Sequence, residues 1–431
     1  MEQVLTTRMT APAYETGKPG PVWEQALVTL WFIVTMVDVP LATPLRYLCV
    51  LYFVAVFGLF HRQYVPQLLR VWPIVLVPLM GAFSLTWSDY PDAGLDGAIF
   101  HMLTALILVV LAQRLTLHQL FRCLLFSGIV IAFYALMLGN MQQGEPFNHK
   151  NQLGVHMTLT AILALWSALD RDVVRWQRFI AALFVPVGAY IVLETASATS
   201  LVVIVPGLLG VMIARFFWSD LAHIRHLRSL VAAFTVALLL VGVLIVAGLP
   251  LQEIFENFVI SLGKDPTLTG RTDIWMFADM ASDEHPWLGH GMGGFWQYDV
   301  SLAQTININD YKPVGTQLGF HNAFLEVRVH LGYVGLALFL FAIGWTLSRT
   351  IRQWLAEPSM LHSTAVVLAI CVLIASFAES KLWGQFNMLV HVFYLPAIAA
   401  FGASYRRYIG EATITEMPNT ASTGRIQLLT R

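Results

Sequence analysis

The chain has 431 residues, of which 57% are hydrophobic and 12% are charged, and its formal net charge is −1. A soluble protein typically carries about 25% charged residues, so this chain cannot cover a water-facing surface and needs lipid as its solvent. The net charge gives no indication of a nucleic-acid partner. Because irregular backbone cannot face lipid, we expect an all-α, polytopic membrane helix bundle.

Twelve apolar segments have about the length, roughly 20 residues, that a spanning helix needs. They cover residues 24–41, 45–60, 71–87, 97–113, 118–138, 152–169, 177–194, 198–217, 229–248, 322–347, 361–378 and 385–403. The chain then divides into an N-terminal tail, nine spans, a long connection with short amphipathic helices, three further spans and a C-terminal tail. These parts are residues 1–23, 24–248, 249–321, 322–403 and 404–431.

The basic residues predict the orientation, because cytoplasmic loops are enriched in Lys and Arg. With both termini in the cytoplasm, 18 of the 25 Lys and Arg residues lie on the cytoplasmic side. The long connection at 249–321 then lies outside, in the periplasm of a Gram-negative cell, and we expect a bacterial inner-membrane protein. Connections of this length usually have a function.

Ionisable residues gather at the membrane rim on the predicted outer side, where they are costly and usually functional. They lie in four segments, 145–154, 269–275, 319–332 and 376–387. Lys150 and Arg271 are cations with few acidic neighbours. His321 stands just before a helix for which Asn322 is the expected N-cap, so the helix dipole should keep His321 a neutral base.

Two cations facing a neutral imidazole suit a substrate that carries a lipid-linked pyrophosphate and reacts with a hydroxyl. Arginine and lysine can stabilise the charge of the departing pyrophosphate, and a histidine with a pKa near neutrality can take the hydroxyl proton. Pyrophosphate is already a good leaving group, so we expect no metal or cofactor. The predicted catalytic residues are His321 and Arg271. The predicted substrate-binding residues are Lys150, Asn151, Asn322, Trp275 and Glu379.

Each of these residues also has a structural interpretation. Lys150 and Arg271 could bind lipid headgroups, and His321 could be a hydrogen-bonding structural residue. Two neighbouring pairs of opposite charge could be internal ion pairs, namely Glu326 with Arg328 and Glu379 with Lys381.

Five ordered segments between residues 140 and 395 resemble the O-antigen ligase and polymerase (Wzy) superfamily, and within it the exopolysaccharide-polymerase branch. They are "FNHKNQLG", "SATSL", "GRTDIW…HPWLGHGMGGFW", "HNAFLEVRVHLGYVGL" and "AES". The resemblance implies a GT-C-type fold and an inverting, metal-independent glycosyl transfer from an undecaprenyl-pyrophosphate-linked oligosaccharide at the periplasmic face. By motif, Arg271 matches the family's pyrophosphate-holding arginine and His321 its proposed base. A chain-length copolymerase and a flippase are the implied partners.

One motif departs from the family pattern. Ligases generally carry an arginine near the start of the eighth span, where this chain reads "SATSL" at 197–201. We hypothesise that Lys150 supplies the second charge. The missing arginine also favours a polymerase over a ligase.

Residues 268–297 are expected to form a lid over the outer mouth of the bundle. Its glycines would let the backbone fold over a bulky glycan. Its tryptophans, Trp275, Trp287 and Trp296, would lie at the lipid headgroups or stack on sugars.

The function that these patterns favour is polymerisation of lipid-linked repeat units of an exopolysaccharide (xanthan-like or similar). One alternative is a ligase that transfers the glycan to lipid A core or to a protein. A transporter or flippase is the alternative from another class. It would need ionisable residues near the bilayer midplane, whereas the charges here cluster at one face.

Overall fold

The computed structural model describes residues 20–147, 149–218 and 271–400. Within these ranges the chain is helical and has no β-strand, which confirms the predicted all-α class. The α-helices are α1 (Val22–Met36), α2 (Ala42–Leu59), α3 (His61–Arg70), α4 (Leu76–Ser84), α5 (Pro91–Arg114), α6 (Leu117–Met137), α7 (Lys150–Leu169), α8 (Arg175–Thr195), α9 (Ala198–Ile213), α10 (Arg271–Glu284), α11 (Ser301–Asn309), α12 (Ala323–Ala356), α13 (Met360–Ser376) and α14 (Met388–Ala400).

Seven helices of the described ranges are long and apolar enough to cross a membrane. An eighth candidate is the pair formed by α3 and the helical segment Trp72–Ser84, which is bent by 89°. Three shorter apolar helices, α1, α13 and α14, also lie where spans are predicted. The chain is therefore a multi-pass membrane protein. The predicted span at 229–248 lies outside the described residues, so the total of twelve spans stays a prediction.

Helix α12 is broken near its predicted outer end. Gly332 has φ 65° and ψ −169°, a backbone conformation that glycine adopts without strain from a Cβ atom. The break separates residues 323–331 from residues 333–356. The second segment alone exceeds the roughly 20 residues needed to cross a bilayer, so the first segment is free to build the outer face.

The turn that follows α10 supplies hydrogen bonds to the broken helix. Buried backbone N–H and C=O groups need partners, above all near lipid. The N–H groups of Tyr333 and Val334 donate to the carbonyls of Pro286 (2.8 Å) and Trp287 (3.2 Å), and the N–H groups of His290 and Gly291 donate to the carbonyls of Val329 (3.0 Å) and His330 (2.9 Å). This turn is therefore held rigidly against α12.

The glycines of this turn serve close packing against protein. Gly289 has φ 69°, and a Cβ atom there would lie 2.5 Å from the carbonyl carbon of His330. A Cβ atom on Gly332 would lie 2.2 Å from the carbonyl carbon of Trp287. Gly289 of the turn and Gly332 of α12 thus allow these two segments to pack closely, and the expected folding of the backbone over a glycan stays a prediction.

A small hydrophobic core anchors the segment 271–320 to the first part of α12. Its buried members are Ile274, Ala278, Ala281, Phe295, Trp296, Ala303, Ile306, Phe320 and Val329. Trp296 is only 7% exposed, so the expectation that it contacts headgroups or sugars is wrong. Its place in the sequence, directly after Phe295, did not reveal that both rings point into this core.

An ion pair also joins α10 to α12. Arg328 contacts the carboxylate of Asp279 and donates from Nε to the Ser282 hydroxyl at 3.0 Å. The suggested pair of Arg328 with Glu326 is not formed, because residues two apart on a helix do not face each other.

Candidate functional site

The predicted site residues converge from four segments of the chain. The helices α7, α10 and α12 begin beside one another and beside the connection between α13 and α14. The rings of His149 and His321 have centroids 6.2 Å apart. Arg271 and Asn151 both contact the Glu379 carboxylate. Residues more than 200 positions apart therefore share one site.

Arg271 is paired with a carboxylate. Its Nη2 donates to Oε1 of Glu379 at 3.0 Å, and Arg271 is only 9% exposed. Arg271 was expected to have few acidic neighbours to neutralise it, yet it pairs with Glu379, a residue 108 positions away in the sequence. Burial raises the pKa of Glu379, while the charges of Arg271 and Lys381 lower it in part.

The predicted N-cap of α12 is confirmed. The Asn322 side-chain oxygen accepts hydrogen bonds from the N–H groups of Phe324 (2.9 Å) and Leu325 (3.2 Å). That oxygen is thus committed to the helix. His321, just outside the cap, has φ 51°, a left-handed conformation that is uncommon without glycine and often marks functional positions.

The peptide before His321 is fixed from both sides. The Phe320 N–H donates to Oε1 of the buried Glu326 at 2.6 Å, and the Ser380 hydroxyl donates to the same oxygen at 3.0 Å. The Phe320 carbonyl accepts from Nε1 of Trp275 at 2.9 Å. Trp275, predicted to bind substrate, therefore uses its N–H to position His321 and keeps a half-buried ring.

His321 is a neutral imidazole in this environment. Burial lowers its pKa to about 4, and the charges of Arg271, His149 and Lys381 contribute, against an opposing effect of Glu326. The direction agrees with the prediction, but the first cause is burial rather than the helix dipole, and the pKa lies below the expected near-neutral value. Within the described part of the chain, the His321 ring has no hydrogen-bond partner.

His149 has a structural task at the start of α7. Its Nδ1 accepts a hydrogen bond from the Asn151 N–H at 3.2 Å and so caps the helix. Partial burial lowers the pKa of His149, and so do the charges of Arg271, Lys150, Lys381 and Lys312. Lys150 is exposed at the rim of the site, where its role as a second cation stays a prediction.

Lys381 is the residue that sequence reasoning missed. It is half-buried, and its charge acts on His149, His321 and Glu379. Burial lowers the pKa of its ammonium group. The residue lay within a segment that the sequence had singled out, but it was interpreted only as a partner for Glu379. That carboxylate accepts hydrogen bonds from Arg271 and Asn151, and the charges of Glu379, Glu326 and Asp38 all act on Lys381 and partly offset the effect of burial on its pKa.

The "SATSL" segment forms a packed helix junction. The Ser197 side chain caps α9 by accepting from the Ser200 N–H at 3.4 Å, and the Ser200 hydroxyl donates to Ser197 at 3.0 Å. A Cβ atom on Gly154 of α7 would lie 2.4 Å from the Ser200 hydroxyl oxygen. This close packing leaves no room for a large cationic side chain at Ser200.

These features define a multi-pass membrane protein with an arginine, a lysine and a neutral histidine gathered where helices begin. Comparison with known proteins agrees with that class. Residues 181–340, which include Arg271 and His321, match the family model described as O-antigen ligase. The chain is 24% identical over 294 residues to the exopolysaccharide production protein ExoQ of Rhizobium meliloti (strain 1021).

The alignment with ExoQ covers 65% of this chain, and the chain spans about 65% of the length of that relative. The two matches confirm the predicted resemblance to the O-antigen ligase and polymerase superfamily and its exopolysaccharide branch.

Proposed function

We propose that this protein polymerises lipid-linked oligosaccharide units of an exopolysaccharide by metal-independent, inverting glycosyl transfer. The observation that carries the proposal is the neutral His321 ring, which has no hydrogen-bond partner among the described residues and lies in the electrostatic field of Arg271 and Lys381. A base beside two cations suits a reaction in which a hydroxyl loses a proton while a pyrophosphate leaves.

Arg271 is the proposed pyrophosphate ligand. Its guanidinium has five N–H donors in a planar fork, and the observed ion pair with Glu379 joins one nitrogen, Nη2, to Oε1. Donors remain for phosphate oxygens. Glu379 holds the fork in one orientation, so little side-chain freedom is lost when the substrate binds. Lys381, and Lys150 at the rim, would add charge for the departing group.

His321 is the proposed general base. A pKa of about 4 makes a weak base in the empty site. A bound pyrophosphate brings negative charge close to the ring and offsets the cations, so it raises the pKa toward the value that suits proton transfer near neutral pH. Substrate binding would thus switch the base on.

The reaction step follows from these roles. The acceptor hydroxyl gives its proton to His321, and its oxygen forms a bond to the anomeric carbon of the donor sugar. The bond between that carbon and the pyrophosphate oxygen breaks, and the electron pair leaves with the lipid pyrophosphate. Attack from the opposite side inverts the anomeric configuration. The proton then leaves the imidazolium for solvent or for the released pyrophosphate.

The proposal places this site at the periplasmic face of a bacterial inner membrane, with both termini in the cytoplasm. The distribution of Lys and Arg along the sequence supports that orientation. An undecaprenyl-pyrophosphate donor fits it, since the glycan would be joined outside the cell. A chain-length copolymerase and a flippase remain the expected partners.

The decisive experiment uses the purified full-length protein in lipid with a synthetic lipid-pyrophosphate oligosaccharide. We expect a ladder of products and release of free lipid pyrophosphate, both unchanged by EDTA. Movement of the donor across vesicles without a ladder would contradict the proposal and favour a transporter.

A ligase is the second candidate, because the matching family model is described as O-antigen ligase. It would use the same donor and the same two residues with a different acceptor. Supplying lipid A core together with the lipid-linked unit separates the two: a polymerase consumes the lipid-linked unit as acceptor, and a ligase consumes the core.

A further inference from the structure

A second concave site lies on the predicted outer face, away from His321. It is an open cavity of about 350 Å³ between the end of α4 and the turn that follows α10. It is lined by Trp87, Asp89, Glu284, His285, Pro286, Trp287, Leu288, Gly289 and His290. None of the residues assigned to the transfer site lines it.

The carboxylates that line this cavity repel an anionic ligand. Asp89 and Glu284 line it, and no Lys or Arg is among its lining residues. Two carboxylates without a cation repel phosphate groups. This cavity therefore favours an uncharged ligand over a pyrophosphate or an anionic lipid headgroup, in contrast to the cationic site around Arg271.

The aromatic residues of the cavity offer flat apolar surfaces. Trp287 is 70% exposed, an unusually large apolar ring to leave open at a polar rim. Trp87 is half-buried, and its Nε1 donates to the Leu288 carbonyl at 3.2 Å, which fixes the ring. Aromatic faces pack on the C–H faces of sugar rings, and carboxylates accept hydrogen bonds from sugar hydroxyls.

The cavity wall is rigid before any ligand arrives. The carbonyls of Pro286 and Trp287 are held by the N–H groups of Tyr333 and Val334 at the break in α12. On the other side, the Ser88 hydroxyl donates to the His290 carbonyl at 3.1 Å. A pre-formed wall avoids the entropic cost of ordering a loop on binding.

We propose that the cavity between Trp87 and Trp287 binds uncharged sugar units of a glycan chain, as a second subsite apart from the transfer site. The choice of a glycan as ligand rests on the proposed function. His321 stands just before the start of α12, whereas the cavity wall hydrogen-bonds to α12 beyond the break at Gly332, so the two sites lie beside different parts of this helix. The subsite would hold part of a chain whose end lies at His321, and so would favour long glycans over single units.

Binding of lipid-free oligosaccharides tests this subsite without any turnover. The probes are fragments of one, two and four repeat units prepared from the polysaccharide that the host cell secretes. Saturation-transfer NMR and titration would be done on the purified full-length protein in nanodiscs of uncharged lipid. We expect the longer fragments to bind, and Trp287→Ala to weaken their binding about tenfold.

Several variants separate the subsite from other effects. Asp89→Asn tests an exposed carboxylate without touching the backbone, and should also weaken binding. Trp287→Tyr should recover part of it. Tyr298→Ala is the matched control, because Tyr298 is 73% exposed in the same segment and does not line the cavity.

Three results would overturn the subsite. They are no binding of any fragment by the unchanged protein, full binding by both Trp287→Ala and Asp89→Asn, or an effect of Trp287→Ala confined to association with lipid. The proposed function is judged separately by the product ladder, so a polymer-forming protein without fragment binding would lose only this subsite.

Discussion

Two histidines stand at two helix entrances, and the difference between them defines the site. At the start of α7, His149 caps the helix with its own Nδ1. At the start of α12, Asn322 does the capping, and His321 stands one residue outside. The rings are 6.2 Å apart by centroid, yet one is committed to a backbone N–H and the other is open to a substrate.

The identity of the N-cap residue determines whether the nearby histidine must hydrogen-bond to the helix backbone or is available to a substrate. A helix N-terminus leaves N–H groups that need an acceptor. Where an asparagine supplies it, the adjacent histidine keeps both ring nitrogens. The Phe320 carbonyl accepts from Trp275 and the Phe320 N–H donates to Glu326, and these two hydrogen bonds hold that histidine in place.

The largest expected effect separates the two histidines. His321→Ala removes the proposed base and should lower polymer formation by about 10²–10⁴-fold, with membrane insertion unchanged. His149→Ala removes a helix cap worth about 1 kcal/mol and should leave most of the turnover. Product ladders and thermal unfolding of both variants check this. Vigorous polymer synthesis by His321→Ala, or an equal loss of polymer in both variants, would contradict the different roles assigned to the two histidines.

Substitution of Arg271 should give the second-largest loss of turnover. Arg271→Gln removes the proposed pyrophosphate ligand and should lower turnover by about 10²–10³-fold. It also leaves the Glu379 carboxylate buried without its partner, which costs stability. The double variant Arg271→Gln with Glu379→Gln should regain stability and stay inactive. If the double variant regains turnover as well, Arg271 is only a structural residue.

Substitutions of the two lysines should lower turnover by unequal factors, and by less than the substitutions of His321 and Arg271. Lys381 is half-buried and its charge acts on both histidines, whereas the charge of Lys150 acts on His149 but not on His321 and is exposed to screening by salt. We expect Lys381→Met to lower turnover about tenfold more than Lys150→Ala at physiological salt. Full polymer output by Lys150→Ala at normal protein level would remove Lys150 from the mechanism, and the reverse order would exclude Lys381 as the main second cation.

The smallest expected effect is a shift in the pH dependence of kcat/KM. The pKa of His321 is lowered from 6.5 to about 4, so the neutral base persists as pH falls and is lost only near pH 4. The acidic limb of kcat/KM, which reports the free enzyme, should lie near 4, and the limb of kcat should lie higher because bound pyrophosphate raises the pKa. Lys381→Met should move the kcat/KM limb upward, because Lys381 lowers the pKa.

The same shift affects folding. Between about pH 4 and 6.5 the unfolded chain binds a proton that the folded His321 does not, so its contribution to stability rises with pH in that window. An acidic limb of kcat/KM near 6.5 would contradict both statements.

The features that the sequence predicted are those encoded locally. Long apolar segments predict spanning helices, and the short polar side chain of Asn322 before a helical pattern predicts an N-cap. The clustering of ionisable residues at membrane edges predicted that Arg271, His321, Asn151 and Glu379 would lie on one face.

The features that the sequence did not predict depend on distant contacts. The pairing of Arg271 with Glu379 joins residues 108 positions apart, and no local pattern encodes such a pair. Gly332 lies in a continuous apolar run, so its break became visible only with the segment at 286–291 that hydrogen-bonds to it. Lys381 was assigned only to its near neighbour Glu379, whose charge does act on it, and the sequence did not show that its charge also reaches His149 and His321.

The central claim is that Arg271 and His321 have separate roles: Arg271 holds the pyrophosphate and His321 takes the proton. The most direct test uses the variants His321→Ala and Arg271→Gln. For each variant, one measures the binding of lipid pyrophosphate and the release of lipid pyrophosphate from the donor in a single turnover. We predict that His321→Ala binds lipid pyrophosphate as tightly as the unchanged protein but releases none from the donor, while Arg271→Gln loses the binding itself. If His321→Ala turns over normally, or if Arg271→Gln binds lipid pyrophosphate without loss, the account is contradicted.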